Sequence, residues 1–248
     1  MTHHTKSLLG IPLPTDTKND IREKILKDAE SQSGWKLVMS LNPEIIQIAS
    51  RNVEFKKVIL SSNYQIVDGV GLVLAAQMLN VPCAERYAGV DLMHDLLVEA
   101  YKRRLRVVLI GGKENVANKT AECYLAKYPN LNIQGIEGYS DVLHQTEEES
   151  KSIFSIVASA KPHLIFVAFG SPAQELWLYR NRAQLGNAVC AGVGGAFDFL
   201  SNEVTRAPQF MRTLGLEWAY RLVTQPWRIK RQLRLVKFMG SVLRDMGR

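Results

Sequence analysis

The stretch Leu164–Gly170, LIFVAFG, is a short apolar run that ends in a glycine. The stretch Arg106–Gly112, RVVLIGG, has the same form, and so does Ala188–Gly192, AVCAG. Segments with helical character separate these runs along the chain. Near-continuous apolar strands that alternate with helices are typical of a parallel sheet covered by helices on both faces. The sequence therefore predicts an α/β fold.

The same alternation extends over most of the chain. The predicted strands are Lys36–Leu41, Gln65–Val67, Arg106–Ile110, Leu131–Ile136, Leu164–Phe169 and Ala188–Gly192. The predicted helices are one that begins at Pro43, then Val70–Leu79, Val90–Arg104, Asn115–Lys127, Thr146–Lys161 and Ala173–Gln184. A chain of 248 residues that is 46% hydrophobic can bury one large core, with two small domains as the alternative.

Four glycine-bearing loops follow predicted strands, at residues 68–71, 111–113, 170–174 and 192–198. Parallel sheets bind their ligands at the carboxyl ends of the strands, where these loops lie. Backbone N–H groups at a glycine turn before a helix favour a phosphate, although a tight strand-to-helix turn also needs glycine. No Walker motif and no strict GxGxxG is present. The loops indicate a phosphorylated ligand other than a typical NAD or ATP ligand.

Polar side chains mark the other predicted strand ends. Ser40 and Asn42 precede a helix, and Asn42 has the alternative role of capping it. Asp68 follows an apolar strand, so its carboxylate projects into the sheet edge or caps the next helix. Arg86 suits either a phosphate or a surface ion pair. These residues are candidates for the chemistry of the site.

The end of the chain concentrates the positive charge. Residues 206–248 contain ten basic and two acidic side chains, whereas the whole chain has a net charge of +7. An apolar stripe of Ile229, Leu233, Val236, Gly240 and Leu243 predicts a helix after the break at Pro226. A basic amphipathic helix binds an anionic membrane surface or packs its apolar face on the body. We therefore predict a core at residues 1–205 and a basic amphipathic helical appendage at residues 206–248.

The composition bears on the cellular compartment of the protein and on metal binding. The three cysteines, Cys83, Cys123 and Cys190, are far apart and odd in number, which favours reduced core residues. The five histidines show no metal-ligand spacing, so no metal site is expected. No apolar run approaches the ~20 residues of a spanning helix, and residues 1–10 lack the core of a signal peptide. These features predict a protein kept in the cytoplasm.

Several segments together resemble the WecG/TagA/CpsF glycosyltransferases, glycosyltransferase family 26. The resemblance runs through most of the chain after its first thirty residues and is most specific in its last block. The matching segments are SLNPE at 40–44, VDGVG at 67–71, ERYAGVDL at 85–92, VLIGG at 108–112, VAFGSPAQELW at 167–177, GVGGAFD at 192–198, RAP at 206–208 and LGLEWAYRLVTQPWRIKR at 214–231.

This resemblance implies a Rossmann-like, mostly parallel sheet with helices on both faces. It also implies an inverting transferase that moves an N-acetylmannosamine-type sugar, or its uronic acid, from a UDP-sugar to N-acetylglucosamine on undecaprenyl diphosphate. Such enzymes act in the synthesis of wall teichoic acid or other envelope polysaccharides. The family lacks the metal-binding DxD motif, and this sequence has no DxD, so no cofactor is expected. The appendage would then hold the protein at the inner face of the cell membrane or contact another copy in a homo-oligomer.

The resemblance also implies roles for individual residues. Asp68 matches the proposed catalytic base, and Ser40 stands where related sequences often have threonine. The residues implied to orient sugar or diphosphate groups are Asn42, Arg86 and Gln174, with Asp198 on the nucleotide side. The glycines implied to approach the donor are Gly111, Gly112, Gly170, Gly194 and Gly195. Arg221, Arg228 and Arg231 would hold the diphosphate and the lipid surface, and we expect them to lack acidic partners nearby in sequence.

Other functions fit less well. A nucleic-acid-binding protein would explain the sequence pI of about 9.3, but no nucleic-acid-binding motif is present and the basic segment is rich in apolar residues. A Rossmann oxidoreductase or methyltransferase lacks its dinucleotide fingerprint. An inactive scaffold for envelope assembly, or a transferase of the same fold that uses another UDP-sugar, remains open.

Overall fold

The computed structural model describes residues 7–113, 115–213, 215–224 and 229–246. Six parallel strands form one sheet in the order β2-β1-β6-β5-β3-β4. The strands are β1 Lys36–Leu41, β2 Tyr64–Val67, β3 Arg106–Gly111, β4 Asn132–Ile136, β5 Leu164–Ala168 and β6 Val189–Gly192. The predicted α/β class with a Rossmann-like parallel sheet is confirmed.

Helices follow or precede every strand. The helices are α1 Lys18–Ser31, α2 Pro43–Ala49, α3 Val53–Leu60, α4 Val70–Met78, α5 Gly89–Arg103, α6 Val116–Lys127, α7 Glu147–Ala160, α8 Ala173–Arg180, α9 Ala196–Leu200, α10 Gln209–Thr213, α11 Glu217–Thr224 and α12 Ile229–Met246, with a short 3-10 turn at Arg182–Gln184. The strand predictions agree to within two residues at each end. The predicted helix Ala173–Gln184 is too long, because the α-helix ends at Arg180 and the chain tightens into the 3-10 turn.

Two buried clusters show that both faces of the sheet are covered. Along β3, Val107 and Leu109 belong to one cluster, whereas Val108 and Ile110 belong to the other. Side chains alternate between the faces of a strand, so this division follows from the pleat. The β-branched and leucine-rich strands are therefore buried on both sides, as their near-continuous apolar sequence predicts.

Local sequence fixes several helix starts. Asn42 and Asn52 cap α2 and α3 by accepting backbone N–H groups three residues later, and Thr146 with Glu149 forms a capping box at α7. Helices α1 and α3 have no counterpart among the sequence predictions. In α1, the buried residues Ile21, Ile25, Leu26 and Ala29 lie three or four positions apart, which is the spacing of an amphipathic helix.

Helix α12 packs on the body of the protein, against α2 and α4. Phe238 and Val242 are fully buried in one of the two clusters, and Leu235 and Met239 pack beside them. Leu243 of the predicted stripe is 57% exposed, and the side chains of Ile229, Leu233 and Val236 lie outside the described residues. The helix has apolar residues over a broad arc, so spacing alone does not select the buried face.

Of the two alternatives for the basic segment, membrane binding or packing on the body, the buried face of α12 shows packing on the body. The division into a core at 1–205 and an appendage at 206–248 stays a proposal. None of the helices in the described part of the chain is both long and apolar enough to cross a membrane.

We predict that Phe238→Ala lowers the free energy of unfolding by ~3–5 kcal/mol, because it leaves a cavity where α12 meets the core. The matched control is Leu243→Ala on the same helix, which removes an exposed side chain and should cost less than ~0.5 kcal/mol. Urea denaturation of both variants measures the difference. Equal stabilities would show that α12 does not stabilise the fold.

Candidate active site

A cleft of about 760 Å³ opens at the carboxyl edge of the sheet. It brings together most of the residues that the sequence singled out, from loops far apart in the chain. The predicted residues that line it are Ser40, Asn42, Asp68, Arg86, Gly111, Gly112, Gly170, Gln174, Gly194, Gly195, Asp198 and Arg221. Arg228 and the side chain of Arg231 lie outside the described residues.

The order of the strands divides the cleft into two halves. Ser40 lies near the end of β1, Asn42 directly follows β1, and Asp68 directly follows the neighbouring strand β2 on one half. The glycine loops follow β6, β5 and β3, which are adjacent on the other half. One half therefore presents polar side chains, and the other presents a backbone that a ligand can approach closely.

Asp68 lies on the polar half, directly after β2. Its Oδ2 accepts a hydrogen bond from the N–H of Gly89 at 3.3 Å. It does not cap α4, because that helix begins after Gly69 without a side-chain cap. Burial raises the pKa of the Asp68 carboxyl, and Arg86 and the Gly89 N–H oppose this rise. The cleft thus holds a carboxylate that binds a proton more readily than an exposed one.

The Ser40 hydroxyl lies next to this carboxylate. Its Oγ is buried and has no hydrogen-bond partner among the described residues. A Cβ placed on Gly89 would lie 3.3 Å from this Oγ and 3.8 Å from Oδ2 of Asp68, so the glycine leaves room beside both groups. A buried hydroxyl without a partner carries a desolvation cost that a ligand atom would relieve.

Asn42 and Gln174 both use their side chains within the protein. Asn42 Oδ1 accepts the N–H of Ile45 at 2.9 Å, which confirms its role as the cap of α2. Gln174 is 3% exposed, and its Oε1 accepts the N–H groups of Gly170 at 3.2 Å and Gly194 at 3.0 Å. Gln174 therefore joins two glycine loops that belong to neighbouring strands.

Gly112 and Gly194 of the glycine loops have positive φ angles, which favour glycine over other residues. Gly112 has φ +84°, and a Cβ there would lie 2.1 Å from Cγ1 of Val116. Gly194 has φ +51°, with open space where a Cβ would stand. The first glycine allows the start of α6 to pack closely, and the second leaves the floor of the cleft clear.

Arg86 belongs to a group of four arginines, of which Arg86 and Arg221 line the cleft. This arginine cluster consists of Arg86, Arg206, Arg212 and Arg221. Asp91 and Glu217 are the acids within it: Arg206 bonds both oxygens of Asp91, and Glu217 pairs with Arg86 at 3.4 Å and with Arg206 at 3.6 Å. Burial raises the pKa of the Asp91 carboxyl, but the hydrogen bonds and the charge of Arg206 outweigh burial and hold this pKa below its usual value.

Arg86 and Arg221 both have an acidic partner in the structure. Arg86 forms an ion pair with Glu217 that is largely enclosed and so differs from the surface ion pair named as its alternative, and contact of Arg86 with a phosphate stays a prediction. The expectation that Arg221 lacks a nearby acidic partner is wrong, because it pairs with Glu217 at 3.6 Å, one helical turn earlier. Its guanidinium also lies 4.1 Å from the ring centroid of Phe199.

Two acidic residues of the site were missed by the sequence analysis. Glu175 is 3% exposed and accepts hydrogen bonds from Ser171 and Gln174, and burial raises its pKa. Glu217 is 8% exposed within the arginine cluster. Each acid lies next to leucine and tryptophan in the sequence, in QELW and in LEW, and these apolar neighbours were the available signal of burial. Among the described residues, no group of three or more acidic, cysteine or histidine side chains could hold a metal ion.

We predict that Asp68→Asn raises the free energy of unfolding at pH 7. The folded protein holds the Asp68 proton more tightly than the unfolded chain, so ionising this carboxyl destabilises the fold as the pH rises through the raised pKa. The variant escapes that cost, and its advantage should vanish below pH ~4, where both states of the wild type are protonated. Denaturation at a series of pH values measures it, and an advantage that does not depend on pH would contradict the assignment.

The sequence of the chain also matches known proteins. A model of the Glycosyl transferase WecG/TagA/CpsF family matches residues 6–248. An N-acetylglucosaminyldiphosphoundecaprenol N-acetyl-beta-D-mannosaminyltransferase of Bacillus subtilis (strain 168) is 34% identical over 241 residues, which cover 97% of this chain and 92% of the relative. A protein of the same name from Bacillus spizizenii (strain ATCC 23059 / NRRL B-14472 / W23) is 34% identical over 213 residues, covering 86% of this chain and 80% of the relative. The chain belongs to the WecG/TagA/CpsF family of glycosyltransferases.

Proposed function

We propose that this glycosyltransferase moves an N-acetylmannosamine-type sugar from a UDP-sugar to N-acetylglucosamine on undecaprenyl diphosphate. The names of the two bacterial relatives support the acceptor and the sugar. The observation that carries the mechanism is the position of Asp68, a carboxylate on the polar half of the cleft opposite the glycine loops. The product would enter a pathway for wall teichoic acid or another envelope polysaccharide.

The proposed reaction is a direct displacement with inversion. The acceptor hydroxyl oxygen forms a bond to the anomeric carbon while the bond from that carbon to the UDP oxygen breaks. The hydroxyl proton passes to Asp68, and UDP leaves with the bonding electrons. Asp68 acts as the general base, and its raised pKa brings it closer to the pH at which proton transfer is most efficient. Ser40 would donate or accept a hydrogen bond on the bound sugar.

The negative charge on the departing UDP needs compensation. The glycine loops line one half of the cleft, and Arg86 and Arg221 line its wall. Donors that are fixed before the reaction stabilise developing charge at little reorganisation cost. In the proposed complex, Asp198 contacts the nucleotide, whereas Arg228 and Arg231 contact diphosphate or lipid.

The lipid acceptor suggests where the protein acts. Phe210, Trp218 and Val223 on α10 and α11 are 65%, 47% and 80% exposed, close to the basic residues of the same segment. Exposed aromatic and aliphatic side chains among basic ones suit the surface of an anionic bilayer. We include in the proposal a peripheral position on the inner face of the cell membrane, with a homo-oligomer as a further use of this surface.

We predict that Asp68→Asn lowers kcat by ~10²-fold or more and changes UDP affinity little, as expected when a general base is lost. Purified protein is incubated with a panel of UDP-sugars and a diphosphate-linked N-acetylglucosamine analogue, and UDP release is measured.

UDP release from an N-acetylmannosamine donor supports the proposed transfer, and release from a different UDP-sugar supports the alternative transferase. No release from any donor by the wild type would instead support the inactive scaffold.

A further inference from the structure

Glu217 is the most enclosed acidic residue of the arginine cluster, at 8% exposure. It contacts arginines from three parts of the chain: Arg86 before α5 at 3.4 Å, Arg206 before α10 at 3.6 Å and Arg221 within α11 at 3.6 Å. A single carboxylate thus connects three guanidinium groups that local sequence would leave apart.

The cluster has more positive than negative charge. Arg86, Arg206, Arg212 and Arg221 are accompanied within it by Asp91 and Glu217, which leaves an excess of two positive charges. The Nε atoms of Arg86 and Arg212 are buried and make no hydrogen bond among the described residues. Buried donors of this kind are costly unless an acceptor reaches them, and a diphosphate supplies several charged oxygens.

The contacts of Glu217 are also longer than those of Asp91. The distances from Glu217 to its arginines are 3.4–3.6 Å, whereas Arg206 bonds Asp91 Oδ2 at 3.0 Å. Close charge-assisted hydrogen bonds measure about 2.7–2.9 Å. Asp91 therefore anchors Arg206 firmly, while Glu217 sits among the arginines without saturating them.

From this geometry, and resting on the proposed transfer reaction, we propose that Glu217 is a positioning residue. It holds Arg86 and Arg221, which line the cleft together with Asp68, as one binding site for a substrate diphosphate, and Arg206 is its third partner. Without this carboxylate, the like charges of the arginines repel one another and the guanidinium groups spread. The diphosphate is that of the UDP-sugar or that of the lipid acceptor, because both carry the same chemical group.

The test compares Glu217→Gln and Glu217→Asp with the full-length wild type. The matched control is Glu54→Gln, which removes a carboxylate from the exposed pair of Glu54 with Arg180 outside the cleft. Three ligands are titrated by calorimetry: uridine, UDP and a short alkyl diphosphate of N-acetylglucosamine. Steady-state kinetics then give KM and kcat for donor and acceptor.

We expect Glu217→Gln to weaken the binding of UDP or of the alkyl diphosphate about tenfold, as expected when hydrogen bonds to charged groups are lost, while uridine binds as before. The ligand that loses affinity identifies whose diphosphate the cluster takes, and KM for that substrate should rise in proportion. Glu217→Asp keeps the charge on a shorter side chain, so its affinity should lie between the two. Glu54→Gln should match the wild type.

Loss of one partner from a buried ion pair can unfold a protein. Should Glu217→Gln fail to fold, Glu217→Asp decides the matter, and wild-type diphosphate affinity in that variant overturns the proposal. If Glu217→Gln folds, the proposal is overturned when this variant binds both diphosphates as tightly as the wild type. It is also overturned when the variant loses as much affinity for uridine as for the diphosphates. A wild type that transfers no sugar refutes the proposed function instead, since the calorimetric test of Glu217 does not depend on turnover.

Discussion

All six strands run parallel, and every strand-to-helix loop therefore emerges at one edge of the sheet. This constraint places loops from residues 40, 68, 111, 170 and 194 around one cleft, although they are far apart in the chain. The two buried clusters on the faces of the sheet hold the strands in register. Residues at the ends of strands then need only short loops to reach the ligand.

Electrostatic compensation is the second feature on which the site depends. Burial disfavours the ionised form of Asp68, and the arginine at position 86 offsets part of that cost. Arg86 is in turn held by Glu217 and by the backbone carbonyl of Arg212, at 3.1 Å. Helices α10 and α11 thus do more than continue the chain, because they complete the charged wall of a cleft whose floor belongs to the sheet.

The sequence revealed the parts of the site that depend on local pattern. Apolar runs ending in glycine located β3, β5 and β6, and Asp68 stood out because it directly follows the apolar strand β2. The contact between Arg86 and Glu217 joins positions 131 residues apart and leaves no trace in local spacing. The same holds for Gln174, whose bond to Gly194 depends on the adjacency of β5 and β6. Helix α12 was predictable as a helix, but its buried face was set by the surfaces of α2 and α4.

The central claim is that Asp68 directs a single displacement at the anomeric carbon. The most direct measurement is the anomeric configuration of the sugar that the wild-type protein transfers from an α-linked UDP-sugar to a diphosphate-linked N-acetylglucosamine analogue, determined by NMR of the purified product. The account predicts a β-linked product, because the acceptor oxygen attacks from the face opposite UDP. An α-linked product would contradict it, since retention requires a mechanism other than one displacement assisted by one base.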